Sequence, residues 1–254
     1  MVQSRYKGEG GVYAMEKGIV QDFTFFSQTL QEDIQILVYI PANYSPLFQY
    51  HLMIAFDGKD YFQLGGIPRL ANELIENHEM EQTIIVGISY KDAEDRRKKY
   101  IPTGEQHEYY LHFLAHELMP HLLDNYSLHS DPEHRALIGD SMAATVSLMA
   151  ALKYPNIFGK VVLQSPYVDH VVLEMVQRAK RDDELVIYHS IGKKEIKAIT
   201  PYNKREADFL TPNRELHNCF IQRSFHTYYY EVDGEHSWKT WKPQLREFLV
   251  GVFE

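Results

Sequence analysis

Cysteine is almost missing from the chain. Cys219 is alone among 254 residues, so no disulfide can form within it and nothing demands an oxidising compartment. Long apolar runs are missing too. None approaches the roughly 20 residues that a membrane-spanning helix needs, and the opening MVQSRYKGEGG lacks the apolar stretch of a secretory signal. Positive charge is short: 26 Lys and Arg stand against 35 Asp and Glu, for a net charge of -9 and a pI near 5.8. Nucleic acids and anionic membranes bind through a basic footprint that displaces condensed cations, so neither is an expected partner. The basic runs Arg96 to Lys99 and Lys193 to Lys194 read as solvated loops. Linkers rich in Gly, Pro or Ser, internal repeats and low-complexity tracts are absent as well, so residues 1–254 read as one domain. A cytoplasmic protein handling small neutral molecules is the expectation.

What is present is an ordinary globular balance, 44% hydrophobic and 24% charged, enough to bury a sizeable core. Between Gly18 and Ile40, the residues Ile34, Ile36, Val38 and Ile40 alternate with polar neighbours. That is the period-2 pattern of a half-buried strand, paired as a hairpin with Asp22 to Phe26. Beyond it come short, nearly continuous apolar runs at 52–56, 83–88, 135–139, 160–164 and 184–189, as expected for parallel strands covered on both faces. Helical periodicity fills 67–78, 109–126 and 142–154 between them, and a last strand at 227–232 precedes a C-terminal helix whose stripe is Trp241, Leu245, Phe248, Leu249 and Val252. The regular alternation predicts an α/β fold with a mostly parallel central sheet, an N-terminal antiparallel hairpin and helices on both faces. The longest irregular stretches, Ser89 to Gln106 and Lys193 to Pro212, follow strands at the sheet edge where binding loops gather.

The strand at 135–139 runs straight into Gly139-Asp140-Ser141-Met142-Ala143 and an alanine-rich helix. This G-x-S-x-A string in a strand-turn-helix context is a nucleophile elbow, the signature of the α/β-hydrolase fold. A helix N-cap serine is the plainer alternative. The N–H of Met142, at the helix start, is one candidate oxyanion donor, and the N–H of Gly58 or Lys59, in the loop after the 52–56 strand, is the second. His236, in DGEHSWKTW after the last strand, holds the position of general base, because in this fold the order along the chain is nucleophile, acid, base. The acid belongs after the strand at 184–189: Glu195 fits, with Asp208 as competitor. Acyl transfer through Ser141 calls for no metal or organic cofactor.

In order along the chain, the FDG loop at 56–58, Arg96 to Tyr100, ELMPHL at 117–122, GDSMAA, YPNIFGKVVLQSP at 154–166, IGKKE and the closing GEHSWKTW resemble the esterase family that holds esterase D, iron-siderophore esterases and feruloyl esterases. The likeness runs from about Gln31 to the C-terminal helix. It implies Ser141, Glu195 and His236 as nucleophile, acid and base, and a small ester as substrate, with siderophore-type lactones and short acyl esters foremost. Two departures from the family's pattern stand out: Ala143 and Ala144 stand where glycines are common, and Lys99 where an acid is common. Arg96, Tyr100 and Trp238 are candidate pocket residues. A serine acyltransferase with the same triad, or a binding protein on a hydrolase scaffold, are the alternative readings.

His112, His116, Glu117 and His121 in HFLAHELMPH suggest a metal helix at first sight. His116 and His121 lie five apart, Pro120 interrupts the turn, and no third ligand is evident beside His112 and His116. The segment reads as an amphipathic helix.

Overall fold

The computed structural model describes residues 17–179, 185–199 and 206–253. The opening segment read for a signal, Glu184 at the head of an expected strand, and residues 200–205 of an expected loop lie outside them.

Eight strands form one sheet: β1 (Ile19–Ser27), β2 (Glu32–Ile40), β3 (His51–Phe56), β4 (Thr83–Ile88), β5 (Arg135–Asp140), β6 (Lys160–Gln164), β7 (Val186–Gly192) and β10 (His226–Val232), in the order β1-β2-β4-β3-β5-β6-β7-β10. The β1–β2 hairpin is antiparallel and joins β4 antiparallel; every other pairing in this sheet is parallel. A small antiparallel ribbon pairs β8 (Ala198–Ile199) with β9 (Glu206–Ala207).

The apolar runs build two cores because successive side chains of a strand point to opposite faces. Ile54, Val86, Leu137 and Val161 enter one core, and their neighbours Met53, Ile85, Ile138 and Val162 enter the other. The first face is covered by α4 (His107–Phe113), α5 (Met119–Asn125), α6 (Met142–Lys153), α7 (His170–Arg178) and α8 (Leu210–Gln222). The second is covered by α2 (Ile67–Glu76) and the C-terminal α9 (Trp238–Phe253), whose expected stripe is buried. A short turn of helix, α1 (Gly58–Asp60), follows β3 and runs into a π-turn at Tyr61–Gly65.

The structure departs from the sequence expectation in instructive places. The stretch 89–106 contains α3 (Ala93–Tyr100), whose sequence AEDRRKKY has no apolar period. Charge builds this helix: the Asp92 carboxylate accepts the N–H groups of Glu94 and Asp95, acids occupy the first turn and bases the last. Lys98 pairs with Glu94 at 2.9 Å and Lys99 pairs with Asp95, both one turn apart. Lys99 is buried and also bonded to Glu32, so its charge is spent on the hairpin. The helix expected at 109–126 is broken by a π-turn at Leu114–Leu118. Pro120 has no N–H to donate to the carbonyl four residues back, and the slack is taken up by the wider turn before it. No described helix is long and apolar enough to cross a membrane.

Ile138, on central β5 and buried, and Ile19, exposed on edge strand β1, offer a direct contrast. Ile138→Ala should lower stability by about 2–5 kcal/mol and Ile19→Ala by less than about 0.5 kcal/mol; urea denaturation of the two variants measures the difference.

Candidate active site

Ser141 sits between β5 and α6 with φ 53° and ψ -124°, a conformation that non-glycine residues rarely adopt and that costs of order 1–3 kcal/mol. The surroundings over-determine it. Its N–H donates to the Gln164 carbonyl at 2.9 Å, and its own carbonyl accepts the N–H groups of Thr145 and Tyr167 at 3.2 and 3.1 Å. Strand and helix touch beneath the turn: a Cβ on Gly139 would lie 2.3 Å from the Ala143 backbone. Ala143 and Ala144 are themselves fully buried, so a methyl is accommodated where glycines are common.

The Ser141 hydroxyl lies 3.0 Å from Nε2 of His236, and Nδ1 of His236 lies 2.6 Å from Oε2 of Glu195. His236 comes from the loop between β10 and α9. Its ring is held between Phe209, at 4.1 Å between centroids, and the edge of Trp241, at 4.9 Å. Glu195 follows β7, in a 3-10 turn at Glu195–Lys197, and is 0% exposed. Its other oxygen accepts the Ser165 hydroxyl at 2.7 Å and the Gly192 N–H at 2.8 Å. Gly192 is required there: a Cβ would fall 2.6 Å from the Glu195 Oε1 and 2.4 Å from the Gly234 carbonyl. The Ser165 hydroxyl in turn accepts the Trp241 indole N–H at 3.0 Å. Gln164 extends the chain, donating to the Trp241 carbonyl at 2.9 Å and accepting the Tyr61 hydroxyl at 3.0 Å.

The second half of the site is organised by Arg96. From α3 its guanidinium grips the Asp57 carboxylate, with Nε at 3.0 and 2.8 Å from the two oxygens, and donates to the Asp140 carbonyl at 3.2 Å. It therefore ties the loop after β3 to the residue before Ser141. Asp57 takes a left-handed conformation (φ 55°, ψ 40°), and its carbonyl accepts from Asp60 and Tyr61. The N–H groups of Gly58 and Lys59 stand in the first turn of α1, where a helix has no internal acceptor for them; Met142 stands likewise at the start of α6. Burial, and after it the neighbouring Asp57 carboxylate, push Asp140 well above the usual carboxylate range. Burial opposes the charge on Arg96, but its acidic neighbours, Asp57 foremost, raise Arg96 above its ordinary value.

A serine on a strained turn, an imidazole within hydrogen-bond reach, a buried carboxylate behind it and helix-start amides beside it form the set of groups that acyl transfer uses. The family described as "Putative esterase" matches residues 27–251. The chain belongs to this esterase family. It is 46% identical to the uncharacterized protein YjcH of Bacillus subtilis (strain 168) over 237 residues, which cover 93% of this chain and 98% of that one. In fold it resembles a ferulic acid esterase, with a TM-score of 0.77 at 17% identity over 93% of this chain and 98% of that one. It also resembles the enterobactin esterase FES from Shigella flexneri, with a TM-score of 0.79 at 17% identity over 92% of this chain and 59% of that one.

Within this esterase-family chain the other expected site residues fall as follows. Tyr100 is buried, and its hydroxyl accepts the Asp57 N–H at 3.4 Å, so it braces the loop from inside where a pocket-lining role was expected. Arg96 likewise faces Asp57 and Asp140. Trp238 packs edge-on against Tyr61 at 4.9 Å and beside Gly65. Asp208 accepts the Thr211 N–H at 3.0 Å and so caps the start of α8. Glu117 accepts from Ser27 and Thr29 in the turn of the β1–β2 hairpin, a structural duty. Sequence reading passed over Ser165, Gly192 and Phe209 and put Trp241 in the core. The clue was the QSP string at the end of β6, which puts a hydroxyl one strand away from Glu195.

Replacing Arg96 by Met strands the buried Asp57 carboxylate and unties the two loops. The variant should lose about 3–5 kcal/mol of stability, measured by denaturant unfolding against wild type; a loss below about 1 kcal/mol would contradict the role given to this pair.

Proposed function

We propose that the chain is a serine carboxylic-ester hydrolase. The observation that carries this reading is the unbroken relay from the Ser141 hydroxyl through His236 to the fully buried Glu195, at 3.0 and 2.6 Å. His236 takes the serine proton as Oγ attacks the ester carbonyl, then returns it to the leaving alcohol; water, activated by the same imidazole, releases the acyl group. Glu195 orients the ring through Nδ1 and stabilises the imidazolium that forms. The oxyanion is received by the N–H of Met142 and that of Gly58 or Lys59. The substrate class is a small carboxylic ester. The solved relatives named for enterobactin and ferulic acid favour aryl esters and siderophore-type lactones within that class.

A fluorophosphonate probe should label wild-type protein and fail to label Ser141→Ala. Turnover of a p-nitrophenyl ester series should fall by roughly 10^4- to 10^6-fold in the same variant. Wild-type protein that neither labels nor hydrolyses any member of the series would overturn the assignment in favour of a binding protein on this scaffold.

A further inference from the structure

At the end of the sheet away from Ser141, three histidines converge. His51 opens β3, His129 lies in the segment leading to β5, and His134 closes a 3-10 turn at Pro132–His134 just before that strand. Because β3 and β5 run parallel, this end is separated from Asp57 and Ser141 by the full length of both strands. One ring nitrogen from each histidine lies within 4.8 Å of those of the other two. The rings of His129 and His134 stack at 4.1 Å between centroids, and His51 meets them at 5.0 and 4.8 Å. Nδ1 of His51 and Nδ1 of His134 are buried without a hydrogen-bond partner, and the Glu133 carboxylate stands 3.8 Å from the second. Such orphaned nitrogens are costly, and a bound cation would use their lone pairs.

The backbone that carries these rings is pinned. His129 donates its N–H to the Tyr50 carbonyl at 3.1 Å, His51 donates to Gln82 at 2.9 Å, and Gly159 donates to Pro132 at 2.9 Å. The Arg135 guanidinium donates to the carbonyls of His129 and Ser130, each at 2.9 Å. Lys160, the neighbouring cation, is turned to the Val252 carbonyl at 2.7 Å.

We propose that His51, His129 and His134 form a binding site for a transition-metal dication of the Zn2+ type. Three imidazoles suit zinc, copper or nickel, whereas magnesium and calcium take oxygen ligands. Zinc–nitrogen bonds of about 2.0–2.1 Å require the three ring nitrogens to draw closer than the 4.8 Å within which they lie. A surface hollow of about 390 Å3 borders His51 and His129, leaving the fourth position open to water. The site would clamp the start of β3 to the lead-in of β5 and to the C-terminal helix, whose Phe253 ring lies 5.2 Å from His51 and whose carbonyl accepts the Glu81 N–H. Its effect is on stability, by preferential binding to the folded state.

The test is titration of Zn2+ into chelator-stripped wild-type protein by calorimetry, with Mg2+ as the hard-cation control and melting temperature as a second readout. One equivalent of Zn2+ should bind and raise the melting temperature, and Mg2+ should do neither. His51→Gln, His129→Gln and His134→Gln should each weaken binding by about tenfold or more. His112→Gln with His116→Gln, which removes the neighbouring pair on α4 and the π-turn, should leave it unchanged. Should a variant fail to fold, diethylpyrocarbonate footprinting of wild-type protein decides: Zn2+ should protect His129 and His134 and leave His112 reactive. Absence of saturable binding, binding that survives loss of all three histidines, or protection at His112 and His116 alone would overturn the proposal.

Discussion

A carboxylate with no exposure to water has to be satisfied from within, and Glu195 is that group in this fold. Three donors meet it: the His236 imidazole, the Ser165 hydroxyl and the Gly192 N–H. Ser165 follows β6, Gly192 ends β7 and His236 follows β10, so the carboxylate can be buried only when those three strands and their loops are in register. The cost of burying the charge is thereby turned into a fixed imidazole. Trp241 closes the arrangement from α9, bonding Ser165 through its indole and pressing its edge on the His236 ring. The C-terminal helix therefore does more than cover the sheet: it carries part of the scaffold that aims the imidazole at Ser141.

A second charge, mostly shielded from water, does the corresponding work on the other side of Ser141. Arg96 bridges the Asp57 carboxylate and the Asp140 carbonyl, and so couples the loop after β3 to the elbow. The two halves meet through Tyr61, which leaves the loop after β3 to donate to Gln164, itself bonded to Trp241. The loop after β3, the elbow and the relay are thus joined by one network of polar groups, the kind that rigidifies a site. One oxygen of Asp140 is left without a partner within it, and burial pushes that carboxyl well above the usual carboxylate range.

Much of this was legible in the sequence for physical reasons. Strands buried on both faces leave continuous apolar runs, and all of those read from the sequence became strands of the sheet. Ser141, Glu195 and His236, read from their positions relative to strands, come together at hydrogen-bond distance. What escaped was structure made by charge and by tertiary contact. AEDRRKKY has no apolar stripe, yet capping and paired charges fold it as α3, and that helix carries Arg96 inward. Tyr100 and Arg96 look like exposed binding residues in a basic run, but both turn to Asp57. Ser165 and Gly192 sit in the QSP and IGKKE strings, but their importance lies in which carboxylate they reach across the sheet, a fact of strand order rather than of spacing. The π-turn before Pro120 is legible only once a proline's missing donor is weighed against a helix that packing requires to continue.

The central claim is that Ser141, aimed by His236 and Glu195, takes up the acyl group. The most direct measurement is peptide mass spectrometry of protein acid-quenched during turnover of a slowly deacylating aryl ester. The account predicts a mass increase equal to the acyl group, confined to the peptide that contains Ser141. Release of the alcohol with no adduct, or an adduct on another residue, would contradict it.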